Sequence, residues 1–300
     1  MPATPQTDRP YRGRFAPSPT GPLHLGSLIA ALASYLDARH HRGLWLLRME
    51  DLDPPREEAG AAARILASLE AHGLHWDGEV LWQSRRGDAY SAALAELERG
   101  HHLFRCDCSR QQLGPGGACR GRCRHRQAQL GSPAATRLAV PADCRITFRD
   151  RIQGQQDVSL GTELPDFVVR RKDGLHAYQL AVVVDDAWQG VTHVVRGSDL
   201  LDSTGRQILL QQLLGHRTPC YGHLPVITDA AGHKLSKQTH APPLQDDRAG
   251  DNLRAALRFL HQPPPPLEAE TVADILAWAC ANWRLEAVPA VLGIHGVPTR

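Results

Sequence analysis

Apolar residues follow two rhythms along this chain. Short apolar runs at Tyr11–Ala16 and Leu44–Glu50 read as strands, while stretches with apolar positions three and four apart, Leu28–His40, Gly60–His72 and Asp88–Leu103, read as helices. Strand and helix in alternation predict a parallel sheet covered by helices. Shorter strand candidates then follow at Thr136–Val140, Arg145–Asp150 and Asp166–Arg171, which predict an antiparallel insertion, before the first rhythm returns with Gly190–Arg196, a helix over Ser203–Leu214 and strand-like Tyr221–Thr228. Past Pro242 only two modest helical patterns remain, Asn252–Leu260 and Ala269–Trp283, parted by Pro263 to Pro266. The expected architecture is α/β. It has a Rossmann-type parallel core in two halves (residues 1–103 and 171–242), an inserted α+β subdomain at 104–170, and a short helical C-terminal tail at 243–300. An open sheet of this kind receives its ligand at the carboxyl ends of its strands, near the switch point.

Composition adds little to this until it is read locally. With 300 residues, 42% of them hydrophobic, the chain can bury a sizeable core across roughly two domains. The formal net charge of +2 averages over a stretch from Arg105 to Arg126 that holds six arginines (Arg105, Arg110, Arg120, Arg122, Arg124 and Arg126) and one acidic residue. That face could meet RNA phosphates or simply be solvated. No apolar run approaches the roughly 18 residues a membrane span requires, and Met1 to Arg12 lacks a secretory core. A soluble, cytoplasmic protein, monomeric and without a membrane partner, is expected.

Four of the seven cysteines fall between 106 and 123. Cys106-x-Cys108 and Cys119-x₃-Cys123 are separated by Gly114-Pro115-Gly116-Gly117, a turn that can fold the two pairs around a tetrahedral ion, and zinc is favoured. Buried unliganded thiols, or His125 in place of one thiolate, are the other readings. Cys144, Cys220 and Cys280 lack such spacing and read as core residues.

Two further segments carry chemistry. Pro17-Ser18-Pro19-Thr20-Gly21-Pro22-Leu23-His24-Leu25-Gly26-Ser27 is a Gly/Pro-rich turn between a strand and a helix, so backbone N–H groups face its ligand and favour phosphate. His24 adds donors there, and Gly26, without a Cβ, lets a flat ring lie close to the main chain. Lys234-Leu235-Ser236-Lys237-Gln238 follows 210 residues after His24. In this order the pair resembles the ATP signatures of class I aminoacyl-tRNA synthetases. Ser27 stands where the first signature usually ends in His, and Gln238 where the second ends in Ser; a capping hydroxyl and a hydrogen-bonding amide keep both compatible.

The flanks narrow the resemblance. Arg14-Phe15-Ala16-Pro17-Ser18, Arg48-Met49-Glu50-Asp51-Leu52-Asp53, Tyr178 through Asp185-Asp186, Arg196-Gly197-Ser198-Asp199 and His223-Leu224-Pro225 resemble the glutamyl branch from about Arg12 to Pro242. The resemblance implies that Arg14, Phe15, Ala16, Pro17, Ser18, Glu50, Tyr178 and Arg196 line a glutamate pocket. Glu50 would face the ammonium, and Arg14 and Arg196 the carboxylates in an order the residues leave open. It also implies that His24, Gly26, Ser27, Lys234 and Lys237 hold ATP with Mg2+. His24 and Lys237 would act on the phosphates, the lysine from a loop closing on the developing charge.

Only 63 residues follow Lys237, whereas ordinary glutamyl-tRNA synthetases continue into a large helical anticodon-binding domain. The expectation is therefore a resemblance to the glutamyl-queuosine tRNA(Asp) synthetases, which activate L-glutamate without tRNA and transfer it to queuosine in the anticodon of tRNA(Asp). That family carries one structural zinc and often has Tyr at the third ligand position, where this chain has Cys119. A minimal glutamyl-tRNA synthetase charging the 3′ end of tRNA(Glu) is the alternative reading.

Overall fold

The structure is a computed structural model that describes residues 9–229 and 242–296. Strand β1 (Arg12–Phe15) leads through the Pro/Gly turn into α1 (Leu25–His40), and β2 (Leu44–Met49), α2 (Ala61–Ala71), β3 (Leu81–Trp82) and α3 (Gly87–Arg99) follow. β1, β2 and β3 form a parallel sheet in that order, with Arg14 opposite Leu46 and Arg48 opposite Leu81. The pattern carried the third helix on to Leu103. Instead it stops at Gly100, and His101 adopts a left-handed φ of 56° so that the His102 N–H can reach the Leu97 carbonyl at 3.0 Å. That closing turn frees Leu103–Cys106 to form β4.

The insertion is antiparallel. β4 pairs with β5 (Ala135–Ala139), which pairs with β8 (Asp166–Arg170), while β6 (Ile146–Asp150) and β7 (Gly154–Val158) form a separate hairpin. After the short α4 (Leu160–Glu163) and β8 comes α5 (Tyr178–Trp188), a valine-rich segment to which the pattern assigned no element. The core then resumes with β9 (His193–Gly197), α6 (Leu201–Leu213) and β10 (Cys220–Leu224), the two strands parallel. The Thr192 N–H donates to the Arg12 carbonyl at 2.9 Å, which brings β9 beside β1. The two halves of the core therefore meet between β1 and β9, and this is the switch point.

Helix α1 is buried on nearly every side, with Leu28, Ile29, Ala31, Leu32, Leu36 and Ala38 all inaccessible or nearly so. A helix apolar all round needs cover on both faces. The strands β1, β2 and β9 supply one side, and α7 (Ala249–Phe259) and α8 (Val272–Ala281) supply the other. The C-terminal residues thus share the core of the first strands, and they are not wholly helical: β12 (Gly293–His295) pairs in parallel with β11 (Val226–Thr228). Pro225 separates β11 from β10, breaking what read as one strand.

Asp37 ties these layers. Fully buried on α1, its carboxylate accepts from the Tyr11 hydroxyl at 2.5 Å, the Arg151 guanidinium at 2.5 Å and the Trp283 indole at 3.1 Å. Burial alone would raise its pKa, but Arg151 and the neutral donors outweigh burial and hold it below the usual carboxylate range. A depressed folded pKa means that this stabilisation is present at neutral pH and is lost as pH falls through the carboxylate range. Asp37→Ala should cost about 3 kcal/mol of unfolding free energy at pH 7. The deficit should narrow as the pH is lowered, measured by urea unfolding at both ends of that range.

Candidate active site

The carboxyl ends of β1, β2, β9 and β10 open into a cavity of about 650 Å³. Arg14, Phe15, Ala16 and Ser18 line it from the end of β1, Glu50 from the end of β2, Arg196 from β9 and Tyr178 from the start of α5; His24, Gly26 and Ser27 stand at the head of α1. Pro17 is not among the lining residues, but its carbonyl accepts the Glu50 N–H at 2.9 Å and so fixes the turn after β1 to the turn after β2. Lys234, Lys237 and Gln238 lie outside the described residues. The residues flanking them are in place: Ile227 lines the cavity, and Pro243 forms a β-bridge with His24.

Two guanidinium groups, Arg14 and Arg48, converge on one carboxylate at the wall of this cavity. Arg14 Nε lies 3.3 Å and Arg48 Nη1 2.7 Å from the same oxygen of Asp186, and Arg48 Nη2 lies 3.5 Å from Glu50. Burial disfavours ionised Asp186, yet Arg48 and Arg14 prevail and keep it below the ordinary range. For Glu50 the balance tips the other way: burial raises its pKa against the pull of Arg48 and Arg14. Arg48 and Asp186 were visible in the sequence only as flanking letters. That Asp186 neutralises Arg14 while Arg48 holds Asp186 could not be read there, because Arg48 and Asp186 lie 138 positions apart.

Arg196 is held on three sides. Its Nε donates to His223 Nε2 at 3.0 Å, its Nη2 donates to the Thr204 hydroxyl at 2.9 Å, and its plane lies over the Tyr221 ring at 5.3 Å. The remaining nitrogen, Nη1, is buried and has no hydrogen-bond partner among the described residues. A buried donor left unpaired is costly, so its place in the wall of a cavity marks a position for an acceptor from a ligand.

At the head of α1, the His24 ring caps the helix by accepting the Ser27 N–H on Nδ1 at 3.2 Å. Capping thus falls to the histidine, and Ser27 sits inside the first turn. Because Nδ1 accepts, the ring proton of neutral His24 resides on Nε2. A Cβ at Gly26 would lie 3.0 Å from the same ring, so glycine here preserves the cap.

Away from the cavity, Cys106, Cys108, Cys119 and Cys123 are all buried, with their sulfurs within 4.8 Å of one another. The Cys108–Cys123 and Cys108–Cys119 separations are 3.5 and 3.9 Å. A tetrahedral zinc with bonds of about 2.3 Å separates its sulfurs by about 3.8 Å, so the four thiols fit that ion, and His125 is not part of the group. Asp166 fixes the second pair by accepting the Cys119 and Arg120 N–H groups at 2.9 and 2.8 Å. Around this knuckle Arg105, Arg110, Arg120, Arg122 and Arg124 are exposed, while Arg126 pairs with Asp107. Among the described residues no helix is long and apolar enough to cross a membrane.

A parallel sheet with its cavity at the switch point, a histidine-capped helix there and an antiparallel insertion define a class I tRNA synthetase catalytic domain. The profile of the tRNA synthetases class I (E and Q), catalytic domain, matches residues 11–261. Similar proteins include the glutamyl-Q tRNA(Asp) synthetase of Pseudomonas fluorescens, 53% identical over 97% of this chain and 98% of that protein. That of Thiobacillus denitrificans is 52% identical over 92% and 94%. The crystal structure of the glutamate-tRNA synthetase from Elizabethkingia anophelis superposes with a TM-score of 0.80 at 25% identity, covering 97% of this chain and 68% of that one. A glutamate tRNA ligase from Elizabethkingia meningosepticum in complex with its amino acid gives 0.79, also at 25%, over 96% and 67%. The chain belongs to the glutamyl-Q tRNA(Asp) synthetase family, ligases of the class I aminoacyl-tRNA synthetase type. Membership of that class carries the use of ATP with Mg2+.

The caps and glycine give this geometry a local test. Gly26→Ala should displace the His24 ring and lower the thermal midpoint by a few degrees, an amount consistent with loss of about 1 kcal/mol of cap. Differential scanning fluorimetry would measure it.

Proposed function

We propose that the cavity activates L-glutamate with ATP and that the glutamyl group is then transferred to the queuosine base in the anticodon of tRNA(Asp). The observation that carries the first step is the match of charges. Two buried guanidinium groups, Arg14 and Arg196, and one partly buried carboxylate, Glu50, line the same cavity. Free glutamate presents the complement, two carboxylates and one ammonium. The unpaired Arg196 Nη1 suits the planar, two-oxygen acceptor of a carboxylate better than an amide, which would leave the buried cation uncompensated. Tyr178 closes the pocket beside them as a neutral wall.

In this reading an oxygen of the glutamate α-carboxylate attacks the α-phosphorus of ATP in line and pyrophosphate departs. The protein's work is to position the reactants and to place donors where negative charge grows. The head of α1 and His24 Nε2–H lie on one side of that centre, with Gly26 and Ser27 beside them, and Lys234 and Lys237 are assigned to the phosphates. In the second step an acceptor hydroxyl of queuosine attacks the adenylate carbonyl, forming the ester and releasing AMP. The transferred group and the acceptor come from the family to which the chain belongs. The four cysteines of residues 104–170 would hold one structural zinc, and the exposed arginines around them would meet the phosphates of the anticodon arm.

The protein should support glutamate-dependent exchange of pyrophosphate into ATP with no tRNA present, and Lys237→Ala should slow that exchange by 100-fold or more while changing glutamate affinity little. Label from glutamate should then appear on the queuosine nucleotide of tRNA(Asp); label on a 3′-terminal ribose would instead support the minimal tRNA(Glu)-charging enzyme. Glu50→Gln should raise the glutamate KM at least 10-fold without lowering the thermal midpoint, because the ionised carboxylate is disfavoured by its burial in the empty pocket. For the same reason glutamate binding should weaken as pH falls, at pH values above those of an ordinary carboxylate. Cys119→Ser should reduce the zinc content found by elemental analysis from one ion per chain towards none.

A further inference from the structure

Behind Arg196 lies a second pair of buried polar residues, Asp150 and His223. His223 is inaccessible to solvent and Asp150 nearly so, and neither is among the residues that line the cavity. Arg196 Nε can only donate, so His223 Nε2, 3.0 Å away, must accept and cannot carry a proton. The ring proton is then on Nδ1, and it is donated to Asp150 Oδ2 at 2.6 Å. Asp150 is itself immobilised, because its other oxygen accepts the backbone N–H groups of Ile152 at 3.0 Å, Gln153 at 2.8 Å and His223 at 3.1 Å. Three backbone donors on Oδ1 leave Oδ2 as the acceptor for the ring.

The order of protons along this chain is therefore fixed from the backbone outward. The turn at 150–153 orients Asp150, Asp150 sets the tautomer of His223, and the bare Nε2 of His223 sets the rotation of the Arg196 guanidinium. That rotation leaves Nη1 as the guanidinium nitrogen without a hydrogen-bond partner among the described residues. We propose that Asp150 and His223 are positioning residues for Arg196. By holding His223 in its Nδ1–H tautomer they fix the guanidinium in the orientation that selects an acidic amino-acid substrate. The proposal rests on the reading of the cavity as a glutamate site and deepens it by naming what sets the specificity of one of its arginines.

An isosteric substitution separates this role from a merely structural one. In Asp150→Asn the side-chain oxygen must stay with the three backbone N–H groups, so the amide nitrogen turns towards His223 Nδ1. The ring is then forced into its Nε2–H tautomer, and an N–H on Nε2 opposes the N–H of Arg196. His223→Gln, a larger change of shape, can still offer an oxygen to Arg196 and an N–H to Asp150. The expected result is a rise of at least 10-fold in the glutamate KM of Asp150→Asn, with the ATP KM within about twofold of the unaltered protein. His223→Gln should remain within about threefold in both.

Nitrogen-15 NMR of the imidazole should find His223 as the Nδ1–H form in the unaltered protein, and this reading is independent of any substrate. A folded Asp150→Asn with an unchanged glutamate KM, a parallel rise in both KM values, or an Nε2–H tautomer in the unaltered protein would overturn the proposal. Absence of glutamate-dependent exchange in the unaltered protein, with the Nδ1–H tautomer observed, would overturn instead the glutamate reading on which it rests.

Discussion

A guanidinium withdrawn from water must be met by countercharge and by hydrogen bonds, and in this molecule that requirement holds the two halves of the core in register. Arg14 on β1 and Arg48 on β2 both reach Asp186 on α5, and Arg48 is further tied to Gln189 at 2.8 Å. Helix α5 in turn is fixed to the first half through Asp185, which accepts from Gln83 at 2.8 Å, Tyr90 at 2.6 Å and Arg86 at 3.0 Å. These bonds join segments about a hundred residues or more apart. The cost of leaving any one of the buried ions unpaired is what makes their geometry unforgiving, and it is the same geometry that shapes the cavity floor.

The cavity is therefore prepared before its ligand arrives. Arg14 is neutralised by Asp186, and the hydrogen-bond acceptors that hold Arg196, His223, Thr204 and the Leu200 carbonyl, are neutral. The positive charge of Arg196 thus remains available to the pocket. Glu50, beside Arg48, lines the same cavity with its ionised form disfavoured by burial, which an ammonium alongside it would reverse. An acidic amino acid, as proposed above, would complete this charge arrangement.

The outer parts of the chain serve the same centre. α7 and α8 cover the face of α1 that the sheet does not, Trp283 reaches the buried Asp37, and β12 pairs beside β11 next to the pocket wall. The cysteine knuckle is anchored through Asp166 on β8, whose strand leads within eight residues to Tyr178. Of its exposed arginines, Arg105 lies on β4 of the same sheet, and Arg110, Arg120, Arg122 and Arg124 lie on the turns around the cysteines.

Local pattern was enough for most of the scaffold. The alternation of strand and helix, the antiparallel insertion, the paired cysteines and the Pro/Gly turn before α1 depend on neighbours a few residues apart, and these were legible because period, turn chemistry and spacing are local properties. What escaped were elements whose identity is set by burial. The run from Tyr178 to Trp188, rich in β-branched residues, becomes a helix because it packs between α3 and α6, and the last residues add a strand because β11 offers an open edge. The residues that line the cavity could be named from motifs, but their arrangement could not. That Asp186 serves two arginines, that His24 caps its own helix, and that Asp150 and His223 stand behind Arg196 follow from side chains brought together only once the sheet has closed. The sequence by itself determined which groups were available and on which elements; the tertiary structure decided which charge faces which, because electrostatic partnership depends on distance through space and buried ions accept no other solution.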